Sequence, residues 1–84
     1  MKWQALVEVS PRAGFGDPEG ATIERSLPAL GFEGVTAVRV GKAIRLVVDA
    51  PDATTAASLV EDMCSRFLTN PVIEDACVEV SELG

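Results

Sequence analysis

The sequence predicts a small two-layer α+β domain of order βαββαβ, an antiparallel sheet with two helices on one face. Three observations carry this expectation. Val35 to Asp49 (VTAVRVGKAIRLVVD) holds two apolar runs separated by Gly41 and Lys42. Thr36, Val38 and Val40 share one side, and Ile44, Leu46, Val48 and Ala50 share another, a period of 2 that marks half-buried strands. Two further stretches show helical periodicity, and one more alternating run lies at each end of the chain.

Each element has a local reason. From Lys2 to Val9, Trp3, Ala5, Val7 and Val9 alternate with Lys2, Gln4 and Glu8, a first strand ended by Ser10-Pro11. The stretch Arg12 to Gly16 is a loop. Asp17-Pro18-Glu19 is a helix start, because Asp17 can accept from free N–H groups and Pro18 suits the first helical position. Ile23, Leu27 and Leu30 then form one apolar stripe. Pro28 lacks a donor, so the helix is expected to end or kink near Ser26 or Leu27, with Gly31 as the left-handed residue after it. Gly41-Lys42 is read as the tip of a β-hairpin.

Asp52 or Thr54 caps a second helix, with Ala56, Val60, Met63 and Phe67 at helical spacing and Leu59, Cys64 and Leu68 beside them. Asp62 and Arg66 are an i,i+4 pair on its wet face. Asn70-Pro71 stops it. The last strand runs from Val72 to Val80, with Ala76, Val78 and Val80 inward and Cys77 and Glu79 outward, and Ser81 to Gly84 is expected to fray. No linker or repeat divides residues 1–84, so the chain reads as a single domain.

Composition narrows the function. The 84 residues are 48% hydrophobic and 24% charged, enough apolar material for a folded core. Seven Lys and Arg against thirteen Asp and Glu give a net charge of −6, which argues against nucleic acid and against an anionic membrane surface. No segment has the run of about 20 apolar residues that a membrane span needs, and no leader is read at the N-terminus, so a cytoplasmic location is expected. Two cysteines, Cys64 and Cys77, make neither a disulfide framework nor a C-x-x-C motif. The sequence has no histidine, which removes the commonest general base and metal ligand.

The loop from Gly14 to Gly20 has G-x-G-x-x-x-G spacing, and Asp17 and Glu19 put negative charge where a phosphate would sit, so it reads as a turn and a helix cap. The acidic pairs Asp49/Asp52, Glu61/Asp62 and Glu74/Asp75 read first as solvated surface. Arg39, Lys42 and Arg45 cluster in an acidic chain and read either as sheet-edge charge or as a contact for an acidic partner or a second subunit. The sheet face away from the helices would carry Leu6, Val35, Ala37, Val47 and Cys77, an apolar patch that predicts self-association.

Three segments in order carry a resemblance: Asp17-Pro18-Glu19-Gly20, Val38-Arg39-Val40-Gly41-Lys42, and Asn70-Pro71-Val72-Ile73-Glu74-Asp75. Together they resemble the PurS family, the small subunit of phosphoribosylformylglycinamidine synthase. Ala76-Cys77 stands where that family commonly has an aromatic. The resemblance implies a ferredoxin-like, PurS-like fold and a subunit with no catalytic site, no bound cofactor and no metal. It implies a homodimer or tetramer that bridges a glutaminase and a synthetase subunit in purine biosynthesis and helps ammonia pass between them. ATP and Mg would be used by the synthetase subunit. By the same resemblance Arg39, Gly41, Lys42, Asn70, Ile73, Glu74 and Asp75 would contact a partner or second subunit, and Asp17, Pro18 and Gly20 would form the helix-start motif. The rival reading is an ACT-like regulatory domain binding a small molecule at a dimer seam. An acylphosphatase-like enzyme has only Arg12 in its favour, and a ferredoxin-like metal carrier lacks the cysteine pair.

Overall fold

The structure, a computed structural model, describes all residues except Ala13, Phe15 and Gly84. The chain runs β1 (Lys2–Pro11), α1 (Pro18–Ser26), a 3₁₀ turn (Pro28–Leu30), β2 (Lys42–Asp49), α2 (Ala53–Met63), a π-helical turn (Cys64–Leu68) and β3 (Glu74–Glu82). The three strands form one antiparallel sheet in the order β2-β1-β3. The α+β class stands, with three strands among the described residues where the sequence leads one to expect four.

Strand β1 is central because its alternation is the cleanest in the chain. Trp3 pairs with Val48 and Glu82, Ala5 with Leu46 and Val80, and Val7 with Ile44 and Val78. Trp3, Ala5, Val7 and Val9 are all buried, and the Trp3 indole N–H donates to the Ala50 carbonyl at 3.0 Å, so the one polar atom of the ring is satisfied. Both strand ends differ from expectation. The pairing of β1 continues through Pro11 opposite Glu74, and β3 reaches Glu82, with the Leu83 N–H bonded to the Lys2 carbonyl at 3.0 Å, so Ser81 and Glu82 belong to the sheet.

Asp52 caps α2 through the Thr55 N–H at 2.7 Å. The buried stripe of this helix is Ala56, Val60 and Cys64, continued by the half-buried Leu68, a spacing of four residues throughout. Met63 and Phe67, expected in that stripe, lie one position to its side, and Phe67 is 86% exposed. Helix α2 packs over β3 and β1.

The largest departure is residues 35–40. They have no regular secondary structure and, among the described residues, pair with no strand, so the expected hairpin is not formed, and Val35 and Ala37 do not lie on the sheet. The Val38 N–H donates to the Glu24 carboxylate at 3.0 Å and the Val40 N–H to the Asp17 carboxylate at 2.8 Å, so the donors a ladder would use are taken by α1. Ala37, at φ 58, is left-handed, which breaks the strand geometry. Gly41 is not a left-handed turn residue either. A Cβ there would stand 2.4 Å from the Val9 carbonyl oxygen, so glycine is needed to let the chain pass against β1.

Helix α1 ends at Ser26, as Pro28 dictates, and Gly31 closes the 3₁₀ turn at φ 93. Yet α1 does not join α2 on the sheet, contrary to the expectation of two helices on one face. It packs on residues 38–40 and projects from the domain as an arm, hereafter the α1 arm. The molecule is accordingly long and thin, 51 × 30 × 14 Å, with a radius of gyration of 16.3 Å. A compact chain of this length would have about 12 Å.

A candidate interaction site at one end of the sheet

The three motifs that are far apart in the sequence converge at one end of the sheet, where β1 finishes and β2 and β3 begin. The first fixes the arm. The two Asp17 carboxylate oxygens are divided between two tasks: one accepts from the Gly20 N–H at 3.0 Å and caps α1, and the other accepts from the Val40 N–H at 2.8 Å. The hydrogen bonds from Val40 and Gly20, with a smaller contribution from the Arg39 charge, hold its carboxyl below the usual carboxylate range. Gly20 is buried against residue 38, and a Cβ on it would lie 2.5 Å from the Val38 carbonyl oxygen. Asp17, Gly20 and Glu24 thus present one side of α1 to residues 38–40. Pro18 occupies the first helical position, as expected.

The second motif ties that unit to the sheet. The Arg39 guanidinium donates to the Pro11 carbonyl, and Gly41 lies against Val9. Lys42 opens β2 opposite Val9.

The third motif is a self-bonded turn. The Ile73 and Glu74 N–H groups donate to the Asn70 carbonyl at 3.1 and 2.8 Å, the Val72 N–H to the Asn70 side-chain oxygen at 3.2 Å, and the Asn70 N–H to the Glu74 carboxylate at 2.8 Å. Arg12 clamps this turn to the end of β1. Its backbone N–H donates to the Ile73 carbonyl at 2.8 Å, and its Nε lies 3.3 Å from both the Glu74 carbonyl and the Asp75 carboxylate.

An open hollow of about 440 Å³ joins the second and third motifs, with Val9, Gly41 and Ala76 in its wall and Arg39, Lys42 and Asp75 among its polar groups. Asn70, Ile73 and Glu74 stand beside it rather than in it. Among the described residues, Arg39, Lys42 and Arg45 enter no ion pair, whereas Lys2, Arg12 and Arg66 each have a carboxylate within 3.4 Å. Cys64 is buried, and burial, with the Glu61 charge second, pushes its thiol up; Cys77 is exposed on the outer sheet face. Sequence reasoning missed Glu24, and it weighed Arg12 only as an acylphosphatase-like residue, not as a clamp. Glu24 lies seven residues after Asp17, two helical turns, so the helical period places both carboxylates on one side of α1. The dual role of Arg12 has no local signal, because its partner Glu74 lies 62 residues away.

This sheet end, with its backbone clamps, its cations without an ion pair among the described residues and its small residues, belongs to a small α+β domain. Comparison with known proteins makes this specific. Residues 4–82 match the PurS family, described as phosphoribosylformylglycinamidine (FGAM) synthase. The phosphoribosylformylglycinamidine synthase subunit PurS of Synechocystis sp. is 40% identical over 81 residues, 96% of this chain and 81% of that protein. The crystal structure of the purS subunit from Thermotoga maritima superposes with a TM-score of 0.87 at 33% identity, covering 96% of this chain and 93% of the other. A chain of the PurLQS structure from the same organism gives a TM-score of 0.86 at 33% identity, over 96% and 99%. The chain belongs to the PurS family, subunits of FGAM synthase in purine biosynthesis.

Proposed function

We propose that this chain is the non-catalytic small subunit of its synthase complex, a homodimer that bridges the glutaminase and synthetase subunits and assists the passage of ammonia between them. It binds no cofactor itself; ATP and Mg serve the synthetase, and the complex works in the cytoplasm. The observation that carries the reading is the convergence of the three motifs at one sheet end as backbone clamps beside Arg39 and Lys42, which enter no ion pair among the described residues. Arg39, Gly41, Lys42 and Asp75 present a contact surface there, and Asn70, Ile73 and Glu74 shape its rim. The rest of the chemistry is consistent with such a role. Ammonia released into water near neutral pH is largely protonated and no longer nucleophilic, so a dry handover between active sites conserves it.

The test is reconstitution. The synthetase and glutaminase of the same complex are combined with ATP, Mg²⁺ and the ribonucleotide, with and without this chain, and fed glutamine or ammonium. Glutamine-driven synthesis should need the chain, and ammonium-driven synthesis should proceed largely without it. Equal rates without the chain in both arms would overturn the bridging role. In the same assay Arg39→Glu or Lys42→Glu should raise the concentration of chain needed for half-maximal activity.

A further inference from the structure

We infer that the hollow at the sheet end receives a carboxylate side chain from a partner subunit, an aspartate or glutamate carried on an extended acidic segment. This deepens the bridging reading and rests on it.

The hollow exists because small residues flank the end of β1. Val9 faces Lys42 in β2 and Ala76 in β3, and Glu8 faces Ala43 and Cys77. Gly41 passes so close to the Val9 carbonyl that no side chain fits there. The opening that results, about 440 Å³, falls within the range of binding clefts, roughly 300–1,000 Å³.

Its charges are unbalanced. Arg39 and Lys42 line it, and neither enters an ion pair among the described residues, although the chain carries thirteen carboxylates against seven basic groups. The carboxylates nearby are committed elsewhere. Asp75 stands 3.3 Å from the Arg12 Nε, and both oxygens of Asp17, which feels the Arg39 charge, accept from backbone N–H groups. Glu8 is left as one negative charge against two positive ones.

Arg39 is also held in place. Its guanidinium donates to the Pro11 carbonyl, while Val38 and Val40 on either side of it are bound by the carboxylates of Glu24 and Asp17. A guanidinium fixed through one N–H still has donors for both oxygens of a carboxylate, and the Lys42 ammonium adds three more. Two cations beside an apolar wall fit an anion carried on a chain, and the net charge of −6 disfavours its landing elsewhere on this surface. A second copy of this chain is the poorer occupant. A two-fold contact centred on the hollow would set Arg39 and Lys42 against the same two cations.

The experiment is zero-length cross-linking in the assembled complex. A carbodiimide joins a lysine amine to a carboxylate that it touches. The full chain, the synthetase and the glutaminase are mixed with glutamine, ATP and Mg²⁺, treated, digested and read by mass spectrometry. Lys42 should be found joined to an Asp or Glu of the synthetase or the glutaminase, and Lys42→Arg, which has no amine to couple, should lose that product. The chain is also titrated into the other two subunits. Lys42→Gln should raise the concentration for half-maximal glutamine-driven synthesis about threefold, and Ala76→Trp, at an exposed position in the wall, about tenfold or more. Lys2→Gln, whose lysine pairs with Asp49 at the other end of the sheet, should leave it unchanged. Lys42 joined only to carboxylates of its own chain or of a second copy overturns the inference. Parent-like titration of both Lys42→Gln and Ala76→Trp overturns it too, while leaving the bridging reading standing. Glutamine-driven synthesis that does not need the chain at all sinks both.

Discussion

Replacing Gly20 by alanine should destabilise the arm, the reverse of what helix propensity alone gives. In an open helix the change is worth up to about 1 kcal/mol in favour of alanine. Here the added methyl would stand 2.5 Å from the Val38 carbonyl oxygen and 2.6 Å from an Asp17 carboxylate oxygen. Neither neighbour can retreat freely, because the same carboxylate oxygen accepts from the Val40 N–H at 2.8 Å. Overpacking of this kind costs typically about 1–3 kcal/mol. With one of the two contacts to backbone at 2.5 Å, the upper part of that range applies, about 2–3 kcal/mol, and set against the propensity gain the net change should be a loss of about 1–2 kcal/mol. With a urea slope of about 1 kcal/mol/M for so small a domain, the midpoint should fall by roughly 1–2 M if the arm melts with the sheet. If the arm opens first, the loss appears in hydrogen exchange, where the Val38 and Val40 amides should lose protection about tenfold while β1 amides keep theirs. A Gly20→Ala chain as stable as the parent, with unchanged protection at Val38 and Val40, would refute the proposed close packing of α1 on residues 38–40.

Further outcomes follow from other sites. Val60→Ala removes two methyls from a fully buried position under α2 and should cost about 2–3 kcal/mol by chemical denaturation, whereas Phe67→Ser, at 86% exposure, should stay within about 0.5 kcal/mol in the isolated protomer. Ala37→Gly removes a left-handed alanine at φ 58 and should hold or raise stability, whereas Ala37→Val should lower it by about 1–2 kcal/mol, both read from thermal melts. The Asp17 carboxyl titrates lower in the folded chain than in the unfolded one, so its contribution is present above the unfolded value of about 3.9 and is lost as pH falls through the folded value. Melts between about pH 5 and pH 2 should therefore show a smaller loss for the Asp17→Asn variant than for the parent. That variant should also start lower, because its amide can turn an N–H towards the Val40 N–H where the parent has only acceptors.

The fold class was legible because burial patterns in β1, β2, β3 and α2 are local. Trp3 to Val9 and Val78 to Val80 alternate, Ala56, Val60 and Cys64 recur every four residues, and Asp17 and Asp52 are capping residues at the positions the structure uses. As a set, the motif residues Asp17, Gly20, Arg39, Gly41, Lys42 and Asp75 were marked by resemblance alone; that they meet at one sheet end is a tertiary fact with no local signal. Residues 35–40 were misread for a physical reason. Thr36, Val38 and Val40 alternate as a strand would, but alternation says nothing about what takes the backbone donors. Two carboxylates, those of Asp17 and Glu24, take them.

The elements with a buried face, the caps and the break of α1 at Pro28 are thus written in local pattern, all governed by neighbours within a turn or two. Where α1 lies depends on contacts between distant residues. The stripe of Ile23, Leu27 and Leu30 says that the helix has an apolar side, but its position is set by Asp17, Gly20 and Glu24 meeting Val38 and Val40, and by Arg39 and Gly41 meeting β1. The hydrogen bonds among these contacts join residues 14 to 28 positions apart, where short-range periodicity carries no information.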